Sequence, residues 1–277
     1  MHEICFVELT SPGTYGGVYA ELMGALSTAA KQIGIGVSYR RDKLKPSVPN
    51  LIFAWYRNFI TANNAHLNLP PNCIIFNLSP LSAAKTTPWL ENYVASLQKH
   101  PVIDYAFFNE RLLADQGNKS VFRFKFGYAA LSAFQFPSKN NNYVFYGKIT
   151  PHRKPILERI MRTGIPVDVV TNCWGHERDA KIAMAHAVLN IGKFESNILE
   201  VYRLWQSLCL GTAVISERGI DKELVNEWQN YVFFSDAIEP SQLEQVDLSG
   251  PARYKEDTSF QQETQRLMAW IADRAVC

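Results

Sequence analysis

The feature that most limits what this chain can fold into is its alternation of short apolar runs with helix-length amphipathic segments. In the first half, ICFVEL (4–9), IGVSY (35–39), NLIFAW (50–55), CIIFNL (73–78), VIDYAFF (102–108) and VFRFKF (121–126) each read as a strand. Between them, VYAELMGALSTAAKQI (18–33), PWLENYVASLQKH (88–100) and NERLLADQG (109–117) read as helices. Pro88 suits a first turn and Gly117 a stop. Strands that alternate with helices predict a mostly parallel sheet with helices on both faces.

The alternation breaks at GYAALSAFQFPSKNNN (127–142), whose Ser-Lys-Asn-Asn-Asn run reads as a linker, and then restarts. YVFYG (143–147), PVDVV (166–170), HAVLNIG (186–192), TAVISE (212–217) and YVFFSD (231–236) are the expected strands. The expected helices are TPHRKPILERIMRTG (150–164), with Thr150 as N-cap and Pro151 behind it, ERDAKIAMA (177–185), SNILEVYRLWQSLCLG (196–211) and GIDKELVNEW (219–228). TSFQQETQRLMAWIADRA (258–275) closes the chain as a helix. The expected class is therefore α/β, with two Rossmann-like domains facing a cleft. Residues 1–135 form the first domain, and residues 136–277, closing helix included, form the second. Open α/β sheets bind ligands at the carboxyl ends of their strands, so the cleft is the expected site.

Composition narrows the class further. A formal net charge of +2 does not suggest a dedicated nucleic-acid binder. The five cysteines, Cys5, Cys73, Cys173, Cys209 and Cys277, form no CxxC pair and no zinc pattern. They point to a reducing compartment, and with no basic leader and no long apolar run a cytoplasmic location is expected. The chain contains no DxD pair, P-loop, HExxH or GxSxG. The last three absences remove P-loop phosphoryl transfer, zinc hydrolysis and standard serine hydrolysis.

Four stretches carry candidate chemistry. In YGKITPHRKP (146–155), Gly147 permits close backbone approach, while Lys148 and Arg153 bring positive charge to a helix N-terminus. That suits a phosphate; a solvated basic turn is the plainer reading. In KFESNILEVYR (193–203), Glu195, Glu200 and Arg203 sit inside an otherwise apolar stretch that Ser196 or Asn197 can cap. Glu200 and Arg203 share a helical face and read either as an internal ion pair or as ribose and phosphate partners. In TNCWGHERD (171–179), Asn172 and Trp174 follow a strand, and Trp174 can stack on a base or sugar. His176 reads as a surface residue or a proton donor. In SPGTYGG (11–17), Gly13, Gly16 and Gly17 make a flexible loop and Tyr15 offers a hydroxyl. Asp104, polar within an apolar strand, is either paired structurally or placed in the cleft.

The second half resembles the donor-binding domain of bacterial glycosyltransferases of the GT-B architecture, nearest to the spore-maturation CgeB-like proteins. The resemblance rests on YGKITPHRKPILERIMRTGIPVDVV and on WGHERDAKIAMAHAVLNIGKFESNILEVYRLWQSLCLGTAVISE. It extends more loosely through NLIFAW, LPPNCIIFNLSPL, TTPWL and VIDYAFFNERLLADQG, so that it spans most of residues 50–220. It implies a glycosyltransferase that moves a sugar from a nucleotide-sugar to an acceptor between the domains. Gly147, Lys148 and Arg153 would face the diphosphate, Glu200 the ribose or sugar hydroxyls, Arg203 the phosphate and Glu195 the transferred sugar. Asn172, Trp174 and Asn197 complete the donor side. Gly13, Tyr15, Gly16 and Gly17 form the acceptor or cleft loop, with Asp104 as the candidate base. No metal and no cofactor beyond the nucleotide-sugar co-substrate are expected. The acceptor, whether glycan, protein, metabolite or modified nucleic acid, stays open. The chain departs from the group at Ser79, where a glutamate is expected. A nucleotide-sugar-binding protein without activity and a nucleotide-sugar epimerase are the rival readings.

Overall fold

The computed structural model describes residues 1–9, 19–56, 69–81, 88–131, 138–194 and 197–274. The chain divides into two compact units, Met1–Phe126 with Phe260–Cys277, and Gly127–Ser259.

The first unit runs β1 (Glu3–Glu8), α1 (Ala20–Gln32), β2 (Gly36–Arg41), β3 (Asn50–Phe53), β4 (Cys73–Phe76), α2 (Pro88–Leu97), β5 (Val102–Asp104), α3 (Phe107–Asp115) and β6 (Val121–Arg123). Its strands pair in parallel in the order β2-β1-β3-β4-β5-β6. The central strands are apolar along their length because both faces are covered. One face, with Val7, Ile52 and Ile75, packs on Tyr93, Leu97 and Leu113 of α2 and α3.

The second unit runs β7 (Tyr143–Tyr146), α4 (Arg153–Arg162), β8 (Val167–Val170), α5 (Gly175–Met184), β9 (Ala187–Asn190), α6 (Val201–Cys209), β10 (Ala213–Glu217), α7 (Lys222–Trp228), β11 (Phe233–Ser235), α8 (Pro240–Leu243) and α9 (Gly250–Asp257). Its parallel order is β11-β10-β9-β7-β8. In both units the first strand lies between the second and third, which is the doubly wound Rossmann-like arrangement. The chain thus leaves β7 and β9 in opposite directions, and the loops after them border the crevice where such sheets bind ligands.

Three expectations are corrected. The closing helix, α10 (Phe260–Arg274), belongs to the first unit rather than the second. An aromatic ladder runs from Phe6 through Phe53 and Phe76 to Phe124, with Phe260 5.5 Å from Phe124. Trp270 meets Phe122 at 5.3 Å, and α10 also packs on α1. The linker lysine is pinned: Lys139 Nζ donates to the carbonyls of Ala183 and Ala185 and to Thr212 Oγ1. The helix expected over 196–211 begins only at Val201. No helix among the described residues is long and apolar enough to cross a membrane.

Candidate functional site

Strand β7 is buried throughout, and the chain leaves it at Gly147 with φ +126°. A β-carbon there would stand 3.0 Å from Arg203 Nη2 and 3.7 Å from Arg153 Nη1. Two guanidiniums therefore occupy the space of a side chain, and the backbone angle itself disfavours one. Thr150 Oγ1 accepts the Arg153 N–H at 3.3 Å and donates to the Lys193 carbonyl at 3.0 Å. The hydroxyl closes the first turn of α4 and ties it to the loop after β9. The helix itself is counted from Arg153, three residues later than expected.

Arg153 is 3% exposed. Its Nε donates to the carbonyls of Ile191 and Gly192, its Nη1 to Lys148 O at 2.9 Å and its Nη2 to Glu200 Oε1 at 2.5 Å. Burial pushes its pKa down to about 10, opposed by Glu200 and reinforced by Arg203, so it stays charged at neutral pH. Arg203, on the first turn of α6, donates from Nη1 to Asn190 Oδ1 at 2.9 Å and pairs through Nη2 with Glu200 Oε2 at 2.8 Å. Its Nε is buried and finds no acceptor among the described residues. The rings of Phe145 and Tyr146 lie 5.7 and 5.2 Å from its guanidinium carbon.

Glu200 thus bridges two buried guanidiniums with its two oxygens. It is the N-cap residue of α6, yet its side chain makes no capping bond, because the arginines take both oxygens. The charge of Glu217 also bears on Arg153, so two carboxylates answer the two guanidiniums beneath Gly147.

The loop after β9 is fixed from the other side. Glu217, at the end of β10, accepts from the Gly192 N–H at 2.8 Å and lies 3.1 Å from His152 Nε2. Asn190 donates to Ser216 Oγ at 2.8 Å. Asn197 is buried, and its carbonyl accepts from Ile220 N at 3.0 Å. Glu200, Glu217, Asn190, Asn197, Phe194 and Arg218 are among the residues that line a small pocket of about 20 Å³. Lys148 is exposed, with its carbonyl held by Arg153.

After β8, Asn172 (φ +53°) and Gly175 (φ +59°) turn the chain sharply around Trp174, which is 40% exposed at the start of α5. His176, beside it, is exposed.

The structure brings together Gly147, Lys148, Arg153, Glu200, Arg203 and Asn197, and sets Asn172 and Trp174 on the neighbouring strand end. Glu195, Gly13, Tyr15, Gly16 and Gly17 lie outside the described residues. Asp104 is a correction. It is 0% exposed, and its carboxylate accepts from Asn77 Nδ2, Asn109 Nδ2 and Ala106 N at 2.6 to 3.2 Å. It anchors the loop after β4 and the start of α3, and such an enclosed group does not reach an acceptor. Sequence reasoning missed Asn190 and Glu217. Both are polar residues at the carboxyl end of buried strands, the signal that marked Asp104. Arg153, expected to face a phosphate, donates within the protein to Ile191, Gly192, Lys148 and Glu200.

No family model matches the chain. Uncharacterized protein L137 of Acanthamoeba polyphaga mimivirus is 27% identical over 169 residues, covering 58% of this chain and 22% of that relative. The chain therefore matches about a fifth of that relative's length. AviGT4, a glycosyltransferase involved in avilamycin A biosynthesis, superposes with a TM-score of 0.64 at 12% identity over 100% of this chain and 98% of its own. HepE of Anabaena, in complex with UDP and glucose, gives 0.63 at 11% identity over 99% and 100%. WaaG, a glycosyltransferase involved in lipopolysaccharide biosynthesis, gives 0.59 at 11% over 98% and 99%. The likeness establishes the fold. It is the α/β fold of two Rossmann-like units seen in GT-B glycosyltransferases, as the sequence resemblance implies.

Proposed function

We propose that this chain is a glycosyltransferase that takes a sugar from a nucleotide-sugar, held on the loops after β7 and β9 of the second unit. The observation that carries the reading is the Glu200 carboxylate shared between Arg153 and Arg203 beneath Gly147. A diphosphate set against the Gly147–Lys148 backbone meets the Arg203 guanidinium, the N-terminus of α4 and the Lys148 ammonium. Arg203 faces the phosphate. The partly exposed Glu200 carboxylate accepts a ribose or sugar hydroxyl, while Asn197 and Glu195 take the sugar side.

The chemistry follows from the charges. As the glycosidic bond breaks, the diphosphate gains negative charge, and fixed cations stabilise it without rearranging. We read the reaction as independent of a divalent ion, with Lys148, Arg153 and Arg203 supplying that charge. Support for a nucleotide donor comes from HepE, whose structure holds UDP-glucose. The loop of Gly13, Tyr15, Gly16 and Gly17 would face the acceptor, which is a glycan, protein, metabolite or modified nucleic acid.

Thermal shift with UDP, GDP, CMP, dTDP and ADP and their sugar conjugates, with and without EDTA, tests this. At a hundredfold excess over Kd a ligand adds about 2.7 kcal/mol of stability. A shift with one nucleotide family, insensitive to EDTA and lost in Glu200→Ala and Arg203→Ala, is expected. A folded wild-type protein that no nucleotide shifts would overturn the reading.

A further inference from the structure

Arg178 has no part in the cluster around Glu200, yet it is a charged residue with 3% exposure. Its guanidinium carbon lies 5.9 Å from the centre of the Trp174 ring and 5.9 Å from that of Tyr146. Its Nε and Nη2 reach Asp179 Oδ1 at 3.3 and 3.2 Å, and the same oxygen accepts from Gln206 Nε2 at 2.8 Å. Tyr146 in turn carries Arg203 at 5.2 Å from its ring and donates to the Arg203 carbonyl at 3.2 Å. Cations and rings thus alternate from the exposed Trp174 through Arg178 and Tyr146 to Arg203, and so to Glu200.

An apolar side chain would fill the same volume without the cost of burying a charge. What an arginine adds is a flat cation that holds two aromatic faces at once. The held ring that reaches solvent is Trp174, at the carboxyl end of β8, beside the loop that bears Gly147. An aromatic ring on the strand end next to a diphosphate site suits the one flat part of a nucleotide, its base.

Resting on the donor reading above, we propose that Arg178 is a positioning residue for base recognition, fixing the Trp174 indole as the platform on which the donor's nucleobase stacks. Stacking on an aromatic side chain changes affinity by about tenfold or more per base. The loss should therefore fall on ligands that carry a base and spare those that do not.

The test is calorimetric titration of UDP, GDP, CDP, ADP and dTDP, and separately of inorganic pyrophosphate. The proteins are wild type, Trp174→Ala, Arg178→Met and the double variant Arg178→Met/Asp179→Asn, which leaves no unpaired carboxylate should the single variant fold poorly. The Kd of the best nucleoside diphosphate should rise about tenfold in every variant, while that of pyrophosphate stays within about twofold. Equal weakening of both ligands would mark Arg178 as structural, and unchanged nucleotide affinity would remove Trp174 from the site. Either result overturns the proposal and leaves the donor reading standing. A wild-type protein that binds no nucleoside diphosphate removes both.

Discussion

Gly147 and Arg203 share one side-chain space: a β-carbon on the glycine would lie 3.0 Å from the arginine's Nη2. The glycine also holds φ +126°, which L side chains rarely adopt. Gly147→Ala therefore combines backbone strain with displacement of a buried guanidinium. A loss of about 1–3 kcal/mol in stability is expected, read by urea denaturation, together with loss of nucleotide binding. Full stability and full binding in that variant would mean the loop is not held as described.

Glu200 is the counter-charge of two arginines, and its removal should cost more than that of a surface pair. Glu200→Ala strands two buried guanidiniums, and because the carboxylate is a quarter exposed the expected cost is about 2–4 kcal/mol. Glu158, which meets Lys154 and the exposed Arg162 at 3.8 Å each, makes the control: Glu158→Ala should cost under about 0.5 kcal/mol. A double-mutant cycle of Glu200→Ala with Arg203→Met separates the pair from its surroundings. A coupling above about 1 kcal/mol is expected, since the residues touch.

How far the sequence disclosed this site depends on which signals are local. Strand–helix alternation marked the strands of both sheets among the described residues, most plainly the central ones, because buried parallel strands are apolar along their length. The Gly147 loop and the Glu200–Arg203 spacing were legible because charge inside an apolar stretch is costly. The ownership of α10 was not legible. It depends on Phe260 and Trp270 finding Phe124 and Phe122, partners far away in the chain. The start of α6 was misread because Asn197 resembles a cap, while the true N-cap, Glu200, spends its side chain on arginines. Asp104 shows the opposite failure. A lone acid in a strand signals something unusual, and only the surrounding amides reveal that it is an anchor.

The same acid predicts a pH dependence. Burial raises the Asp104 pKa to about 7, against the hydrogen bonds from Ala106, Asn77 and Asn109. Between about pH 4 and pH 7 the unfolded chain has lost this proton while the folded protein keeps it. The folded state then binds more protons, so this group's contribution to stability falls as pH rises through that window and levels off above it. Asp104→Asn lacks the proton. The stability of wild type minus that of the variant should decline from pH 4.5 to 7.5, measured by urea denaturation. The variant itself should be weaker by about 1–3 kcal/mol, since its amide faces the donors of Asn77 and Asn109. A difference that rises with pH would contradict the assignment.

Glu217 closes the pocket from the β10 side, and its two contacts have separable consequences. The Gly192 N–H at 2.8 Å loses its acceptor in Glu217→Ala, which should cost about 1–3 kcal/mol if water does not replace it. Glu217→Gln keeps an oxygen for that N–H and loses the charge that bears on His152 and Arg153, so its cost should stay below that of Glu217→Ala, at about 1 kcal/mol. Binding should follow the same order. Gly192 sets the path of the loop that leads to Asn197 and Glu200, so Glu217→Ala should weaken a nucleotide-sugar several-fold while Glu217→Gln stays near wild type. If the two variants lose affinity equally, the charge on Glu217, and not its hold on Gly192, is what the site uses.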